Sequence, residues 1–265
     1  MAVYEETEII RWENGKAERL TDDVVVESSL ELVVNDRSVV TLLCSPEKRE
    51  ALAVGYLRSE GLIEGKESIK NVNLVPEDKS IELELTEDFG GLEAYFDRKR
   101  ALTSSCGRAS TIIEKLEELK LEKPERPVGP GLTQMSELMK DLQKKAGLFR
   151  RTGGSHTAAL AKPDGIEYLA EDIGRHNAVD KVIGGAVLSG CEPGSLTLLT
   201  SGRLSSEMVL KAIRSSIPIV ISRSAPTTLA VRMGRLTDLT MVGFVRGSRL
   251  SIYSGEERVR ELGLD

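Results

Sequence analysis

The sequence predicts an α/β protein in which a C-terminal sheet is covered by helices on both faces and a smaller N-terminal α+β domain precedes it. In the second half, continuous apolar strands alternate with helices, a pattern that is typical of a mostly parallel, doubly covered sheet. Between the halves, residues 123–131 hold three prolines and two glycines in nine residues, a composition that excludes regular structure. We therefore divide the chain into residues 1–122, a linker over 123–131, and residues 132–265.

The N-terminal domain is predicted to be rich in strands. Residues 21–43 are mostly aliphatic and β-branched around Asn35-Asp36, which favours a tight turn, so they predict a β-hairpin. Ser45-Pro46-Glu47 predicts a helix start, with a hydroxyl cap before a proline, and Gly61 predicts its end. Two further strands are expected at 69–75 and 81–85, and a short charged helix at 111–119.

The C-terminal domain alternates helix and strand. Residues 135–146 and 177–188 predict amphipathic helices, the second capped by Asn177. Extended segments are expected at 155–161, 166–170, 196–200, 217–221 and 240–245. A helix is expected after each of the strands at 196–200 and 217–221, which completes the pattern of a sheet with helices on both faces.

Arginine, small hydroxyl residues or glycine follow each of the last three predicted strands. Ligands of such sheets bind beyond the carboxyl ends of the strands, and two of these loops also open a helix, whose free N–H groups favour anions. Guanidinium groups there would match phosphate oxygens, although in any single loop the hydroxyl residues could be simple helix caps. The predicted phosphate-binding residues of the first two loops are Ser201, Gly202, Arg203, Ser222, Arg223 and Ser224.

The chain has two histidines, each in a polar stretch. His156 follows the turn Gly153-Gly154, and His176 follows Asp172 between a strand and a helix. Each histidine could be a proton shuttle, a ligand contact or a satisfied core group, so these five residues are candidates for the binding site. Neither histidine has the neighbours that a metal site needs, so we expect no metal.

Cys106 lies in a loop of small and polar residues, 103–108, with basic neighbours on both sides. Positive charge favours the thiolate, so Cys106 is a candidate nucleophile, although an inert loop thiol is an equally simple interpretation. The basic neighbours are Arg98, Lys99, Arg100 and Arg108. Cys44 and Cys191 bring the total to three cysteines, which supports neither a disulfide framework nor a four-ligand metal site.

Composition indicates a cytoplasmic protein that binds neither membranes nor nucleic acid. No apolar run approaches the length of about 20 residues that spans a bilayer, and the first residues are acidic where a secretory signal would be basic. The net charge is -6, yet residues 203–249 hold seven arginines and one lysine against two acidic residues. This positive charge is therefore concentrated around the predicted strand ends.

Five motifs in order closely resemble the FdhD family, the accessory sulfurtransferases of formate dehydrogenase. They lie at residues 152–160, 171–184, 201–211, 222–229 and 243–247. The resemblance implies that the C-terminal domain is a three-layer α/β/α sandwich similar to that of cytidine deaminases. The chain lacks the zinc signature of those deaminases, so deamination is not expected.

The resemblance also implies a function. Cys106 matches the loop cysteine that takes persulfide sulfur from a cysteine desulfurase and passes it to the molybdenum or tungsten bis(pterin guanine dinucleotide) cofactor of the formate dehydrogenase catalytic subunit. A homodimer is expected. A segment linked to binding this cofactor matches Phe244, Val245, Arg246, Gly247, Ser248 and Arg249.

The Cys106 loop departs from the family in one respect. Many members have Cys-x-x-Cys there, whereas Ala109 takes the place of the second cysteine. One persulfide is still chemically sufficient for transfer by thiol exchange. The missing cysteine keeps a second hypothesis open, a non-catalytic chaperone that binds the same cofactor and docks on apo-formate dehydrogenase; an unrelated nucleotide-binding enzyme is a weaker third.

Overall fold

The computed structural model describes residues 2–75, 79–86, 129–260 and 262. Cys106, the helix predicted at 111–119 and the linker residues 123–128 lie outside these described residues.

The first two strands form a long antiparallel hairpin that the sequence analysis missed. β1 (Tyr4–Glu13) pairs with β2 (Lys16–Val25) along its whole length. Most of its side chains are exposed and charged residues occur on both faces, so no apolar alternation marks the strands. The turn Asn14-Gly15 has φ angles of 51° and 79°, the left-handed conformations of a type I′ turn. That Asn-Gly pair was the available sequence signal.

A four-stranded sheet follows, in the order β4-β3-β6-β5. Its strands are β3 (Ser28–Val34), β4 (Arg37–Cys44), β5 (Ile69–Val75) and β6 (Ser80–Leu85). The predicted turn at Asn35 and Asp36 is confirmed, with φ angles of 46° and 62°. Helix α1 (Arg49–Glu60) covers one face of this sheet through Leu52 and Leu57, and it ends at Gly61 as predicted.

The predicted start of α1 is wrong by three residues. The helix begins at Arg49, after Lys48 at a φ of 54°, and not at Ser45-Pro46-Glu47. Ser45 donates its backbone N–H and its hydroxyl to the carboxylate of Asp172, at 3.0 and 3.1 Å, and its hydroxyl accepts from Lys181 at 2.7 Å. Ser45 therefore does not cap α1, because its hydrogen-bond partners are residues more than a hundred positions away in the sequence.

The C-terminal half is built on a six-stranded sheet in the order β12-β11-β10-β9-β7-β8. β9, β10 and β11 run parallel, while β7, β8 and β12 pair with their neighbours in antiparallel fashion. The strands are β7 (His156–Lys162), β8 (Gly165–Asp172), β9 (Thr197–Thr200), β10 (Ile219–Ser222), β11 (Thr240–Arg246) and β12 (Arg249–Ser254). The strand β12 was not predicted.

Helices cover both faces of this sheet, as predicted. The helices are α2 (Leu132–Lys145), α3 (Gly147–Thr152), α4 (Arg175–Leu188), α5 (Ser206–Arg214) and α6 (Thr228–Leu236). Along β7, Ala158 and Leu160 pack on the side of α4, α5 and α6, whereas Ala159 and Ala161 pack on the side of α2. Alternate residues of this strand therefore belong to two hydrophobic cores, one on each face of the sheet. The similarity to cytidine deaminases stays a prediction.

Helix α4 begins earlier than predicted. Its cap is Gly174 in an extended conformation, so Asn177 lies inside the first turn. The Asn177 amide donates to the backbone carbonyl of Leu43 at 2.7 Å and to Asp172 at 3.0 Å. Asn177 therefore connects the two halves of the chain.

Helices α1 and α4 pack tightly across the boundary between the halves, and Val187 of α4 belongs to the core of the N-terminal sheet. Among the described linker residues, Gly129 donates its N–H to the carbonyl of Arg258 at 3.0 Å. The division into two domains remains a prediction.

Candidate functional site

The register of the large sheet brings every described candidate residue to one edge. His156 at the start of β7 pairs with Asp172 at the end of β8, and Ala158 pairs with Thr200 at the end of β9. Thr200 in turn pairs with Ser222 at the end of β10. We call the residues 153–156, 172–177, 201–205, 222–227 and 243–249 the strand-end edge.

Ser201 anchors His156 at this edge. The Ser201 hydroxyl accepts the backbone N–H of Thr157 at 3.0 Å and lies 3.3 Å from His156 Nδ1, while the Ser201 N–H donates to the Thr157 carbonyl at 2.9 Å. These bonds fix the imidazole against the loop that follows β9. Sequence reasoning named both residues but gave no reason for their contact.

The loops after β9 and β10 are tied to each other. The Ser222 hydroxyl is buried and donates to the Gly202 carbonyl at 2.6 Å, and it accepts the N–H of Ser224 at 2.9 Å. Arg223 donates its N–H to the Thr200 carbonyl at 3.1 Å. Through these bonds the buried Ser222 connects the two loops and fixes their relative positions at the strand-end edge.

The caps of the helices that follow these loops are Ser205 for α5 and Thr227 for α6, whose side chains accept the N–H groups of Met208 and Ala230 at 3.5 and 3.3 Å. Capping in these loops thus falls to residues outside the candidate set. The hydroxyl of Ser201 serves His156 and that of Ser222 serves Gly202, so neither caps a helix.

The segment 244–249 projects from the end of β11. Phe244 has a φ of 54°, a conformation that costs energy for a bulky residue, and its N–H donates to the Ser224 carbonyl at 3.0 Å. The pairing with β12 is irregular between Gly243 and Arg246. The guanidinium carbons of Arg246 and Arg249 lie 6.0 and 5.9 Å from the Phe244 ring centroid, at the limit of cation–π contact. The irregularity thus places an aromatic ring between two cations.

Four exposed arginines distinguish the strand-end edge. Within the described parts of the chain, their guanidinium groups make no hydrogen bond and no ion pair. They are Arg203, Arg223, Arg246 and Arg249. Unpaired guanidinium groups that converge on one edge suit a ligand with several phosphate charges.

Asp172 lies beneath the edge and is fully buried. One carboxylate oxygen forms an ion pair with Lys181 at 2.6 Å, and neither side chain is exposed. The other oxygen accepts the N–H of Gly174 at 2.9 Å and the amide of Asn177 at 3.0 Å. Both oxygens are occupied by protein groups, so Asp172 positions the start of α4.

His176 Nε2 lies 3.1 Å from Glu207 Oε2, close enough for an ion pair when the imidazole is protonated. Burial, and then the nearby charge of Arg175, lower the pKa of His176; Glu207 acts in the opposite direction. Burial and Arg175 lower the pKa of His156 in the same order. Both histidines are therefore predominantly neutral at neutral pH, when either ring can donate through one nitrogen and accept through the other.

The turn at Gly153-Gly154 lies against the N-terminal hairpin. A Cβ on Gly154 would fall 2.6 Å from Val25 Cγ1. Next to it, Arg151 forms an ion pair with Asp23 at 2.6 Å and lies 3.9 Å from the Tyr4 ring centroid. Gly154 thus allows the close approach of this turn to β2, whereas a Cβ on Gly153 would meet nothing within 4 Å.

Sequence reasoning missed a second buried network that links the halves. Asp180 of α4 accepts from Lys211 of α5 at 2.9 and 3.0 Å and from the Ser59 hydroxyl of α1 at 2.7 Å. Burial raises the pKa of Asp180, and Lys211 opposes that shift. The available signal was the adjacent pair Asp180 and Lys181 in an otherwise apolar helix.

Cys106 lies outside the described residues, and the two described cysteines, Cys44 and Cys191, are free and lie in different environments. Cys44 is buried, and burial followed by the charge of Asp172 raises its pKa to about 11. Cys191 is half-buried at the C-terminal end of α4, where its N–H donates to the Ala186 carbonyl at 2.9 Å. A helix of this length spans about 21 Å, so Cys191 is far from the strand-end edge.

The described segments lack a metal cluster and a membrane-spanning helix. They contain no group of three or more His, Cys, Asp or Glu residues that could hold a metal ion. No helix among them is long and apolar enough to cross a membrane.

Comparison with known proteins identifies the family. The profile of the FdhD/NarQ family matches residues 25–260. The chain is 35% identical over 262 residues to the sulfur carrier protein FdhD of Listeria monocytogenes serotype 4b (strain F2365), with 98% of this chain and 100% of the relative covered. It is 35% identical over 256 residues to that of Bacillus subtilis (strain 168), with 96% and 97% covered.

A solved structure supports the fold. The crystal structure of a Desulfotalea psychrophila protein named as a formate dehydrogenase accessory protein matches with a TM-score of 0.80, covering 97% of this chain and 100% of that one. Because its sequence is 23% identical, the likeness is evidence for the fold alone. On the strength of the profile match and of relatives that align over nearly their whole length, the chain belongs to the FdhD/NarQ family.

Proposed function

We propose that this protein is a sulfur carrier that acts on the cofactor of formate dehydrogenase. Cys106 takes persulfide sulfur from a cysteine desulfurase and delivers it to a molybdenum or tungsten bis(pterin guanine dinucleotide), which is the bound substrate. The relatives at 35% identity are named sulfur carrier proteins, which supports the first half of this proposal. The formate dehydrogenase catalytic subunit would be the recipient, the active form a homodimer, and the compartment the cytoplasm.

Loading of Cys106 is a thiol exchange that needs no outside oxidant. The Cys106 thiolate attacks the terminal sulfur of the desulfurase persulfide, forms a new S–S bond, and releases the desulfurase cysteine as a thiolate. The basic residues around Cys106 in the sequence favour the thiolate that begins the attack.

Delivery breaks the S–S bond that loading formed. The S–S bond breaks with its electron pair on Cys106, and the terminal sulfur takes two electrons from the metal centre of the substrate to become a sulfido group. Cys106 is then again a thiolate, so a single cysteine completes the cycle.

The strand-end edge is the proposed binding surface for the guanine dinucleotide. The observation that carries this assignment is the convergence of Arg203, Arg223, Arg246 and Arg249, all exposed and without hydrogen-bond or ion-pair partners in the described part of the chain. The phosphates of the dinucleotide supply the matching negative charge, and Phe244 supplies a ring beside two of the cations. The remaining proposed contacts are Ser201, Gly202, Ser222, Ser224, Val245, Gly247, Ser248, His156, His176, Gly153 and Gly154, with Asp172 below them.

Mass spectrometry tests the carrier step. After incubation with a cysteine desulfurase and cysteine, the tryptic peptide of Cys106 should gain one sulfur atom, and the peptides of Cys44 and Cys191 should not. The Cys106→Ala variant should fail to mature formate dehydrogenase, and full maturation by that variant would refute the proposal.

Calorimetry with GDP tests the binding surface, because the substrate ends in guanine nucleotides. The triple variant Arg203→Ala, Arg223→Ala, Arg246→Ala should bind GDP at least about a hundredfold more weakly, since three cationic contacts are lost. A triple variant at exposed sites away from this edge, Arg19→Ala, Lys70→Ala, Lys162→Ala, removes the same charge and should bind as the wild type. Equal affinity of the two triple variants would contradict the placement of the site.

A second candidate function is a cofactor chaperone that does not transfer sulfur. It is favoured by Ala109, which removes the second cysteine from the loop, while Cys44 and Cys191 are not in matching positions of the sequence. The Cys106→Ser variant separates the two functions, because a chaperone would still mature formate dehydrogenase without a persulfide.

A further inference from the structure

Arg175 is the first residue of α4, and its charge acts on both histidines. Its side chain packs on Gly202 of the neighbouring loop, where a Cβ would fall 2.9 Å from Arg175 Cβ and 3.2 Å from Arg175 Cδ. Glycine at position 202 is therefore what allows the arginine to lie against the loop after β9.

No described residue forms an ion pair that would neutralise the charge of Arg175. Its Nε atom is buried without a hydrogen-bond partner, and its guanidinium group forms no ion pair with any described residue. The carboxylate on α5, that of Glu207, lies 3.1 Å from His176 Nε2 and forms no ion pair with Arg175. Partial burial of a cation without a counter-charge is unfavourable, so an anion that reached this point would be stabilised.

The backbone around Arg175 favours the same kind of ligand. The first N–H groups of α4 have no intrahelical acceptors, and the helix of 14 residues contributes a positive partial charge at this end. Asp172 accepts the N–H of Gly174 at 2.9 Å, which fixes the direction of the first turn.

We propose that Arg175, with the first turn of α4, forms a subsite that binds one phosphate group of the ligand at the strand-end edge. The subsite rests on the proposed binding of a guanine dinucleotide there, and it gives a role to Arg175, which lies in the polar stretch between Asp172 and Asn177. It differs from the exposed arginines because its side chain is held between Gly202 and the helix. Arg175 would therefore bind a phosphate in a fixed geometry, whereas the exposed arginines attract the ligand.

Calorimetry with GDP and with guanosine, which lacks phosphate, tests the subsite. Arg175→Gln should weaken GDP binding at least about tenfold, the effect of losing one charge-assisted hydrogen bond, and should leave guanosine binding unchanged. Gly202→Ala should also weaken GDP binding, because the new methyl group displaces the Arg175 side chain. Lys162→Gln, at the opposite end of β7, removes one exposed charge and is the matched control.

The two histidines offer a second readout. Because the chain has only His156 and His176, their NMR signals can be followed through a pH titration. Without ligand, Arg175→Gln should raise the pKa of both histidines, since Arg175 is among the causes that lower them. GDP should raise both pKa values in the wild type and should have no such effect in the variant.

The outcomes separate this subsite from the proposed function. Wild-type GDP affinity in Arg175→Gln would overturn the subsite and leave the carrier function standing. Absence of GDP binding to the wild type would overturn both the subsite and the proposed binding surface, whereas loading of Cys106 would be unaffected.

Discussion

Gly55 of α1 and Gly184 of α4 are in direct backbone contact. A Cβ on Gly184 would fall 2.5 Å from the Gly55 nitrogen, and a Cβ on Gly55 would fall 2.8 Å from the Gly184 nitrogen. The same hypothetical atoms would collide with the backbone carbonyls of Ala51 and Asp180. The two halves of the chain are therefore joined at a helix crossing that leaves no room for a methyl group, and this crossing sets where α4 delivers Arg175 and His176.

Gly184→Ala should destabilise the protein by about 3 kcal/mol or more, because the helices must separate to admit the methyl group. The neighbouring Gly185→Ala is a matched control. Its Cβ would meet only Tyr168 Cδ1 at 3.7 Å, so it should stabilise by up to about 1 kcal/mol through helix propensity. Urea denaturation of both variants gives the free energies of unfolding, and equal effects of the two substitutions would refute the close crossing.

Lys181→Met should cost about 3 to 5 kcal/mol of folding free energy, because it leaves the buried carboxylate of Asp172 without its counter-ion. Lys145→Met removes an ion pair with Asp141 whose side chains are 50% and 40% exposed, so its cost should stay below about 0.5 kcal/mol. Chemical denaturation measures both. Similar shifts of the denaturation midpoint in the two variants would contradict the burial of the Asp172–Lys181 ion pair.

Cys44 should resist alkylation in the folded protein. With a pKa of about 11, only about one thiol in a thousand is a thiolate at pH 8, and the side chain is also buried. Brief treatment with iodoacetamide followed by peptide mass spectrometry should label Cys191 in preference to Cys44, and denaturation should remove the difference. Cys44→Ala should leave persulfide loading intact; rapid labelling of Cys44 in the native state would contradict its burial.

The strand ends were predictable from sequence because each apolar strand stops at a recognisable polar loop, and the geometry of a parallel sheet then brings Ser201, Ser222 and their neighbours together. Partners distant in the chain were not predictable. Ser45 has the sequence pattern of a helix cap, yet Asp172 and Lys181 capture it from residues more than a hundred positions away. The contact of Arg175 with Gly202 was not predictable for the same reason, since the two residues lie far apart in the sequence.

The N-terminal hairpin was missed for a different physical reason. Strands are recognised by one buried face, and β1 carries Glu5, Glu6 and Glu8 in a ribbon whose two faces are both largely exposed. Its turn residues, Asn14 and Gly15, were the stronger indication, because their left-handed conformations close a tight hairpin whatever the flanking pattern.

Protonation of the two histidines should destabilise the ligand-free protein as the pH falls. The charged groups that act on His176 are Arg175, Lys211, Glu207 and His156, and burial is the largest cause of its lowered pKa. In the unfolded chain both histidines bind protons near pH 6.5, whereas in the folded protein they do so at lower pH. The unfolded state therefore holds more protons in this interval, and stability is fully present above about pH 6.5 and is lost as the pH falls through the lower folded-state pKa values.

The measurement is the free energy of unfolding in urea at several pH values between about 7.5 and 5, above the range in which ordinary carboxylates titrate. On unfolding in this pH interval, each histidine of the wild type should take up at most one proton, so the total uptake should lie between zero and two. The double variant His156→Gln, His176→Gln should show a much flatter dependence. GDP should also flatten the wild-type profile, because a phosphate beside Arg175 offsets the charge that disfavours protonation. A wild-type slope that persists in the double variant would mean that other groups titrate in its place.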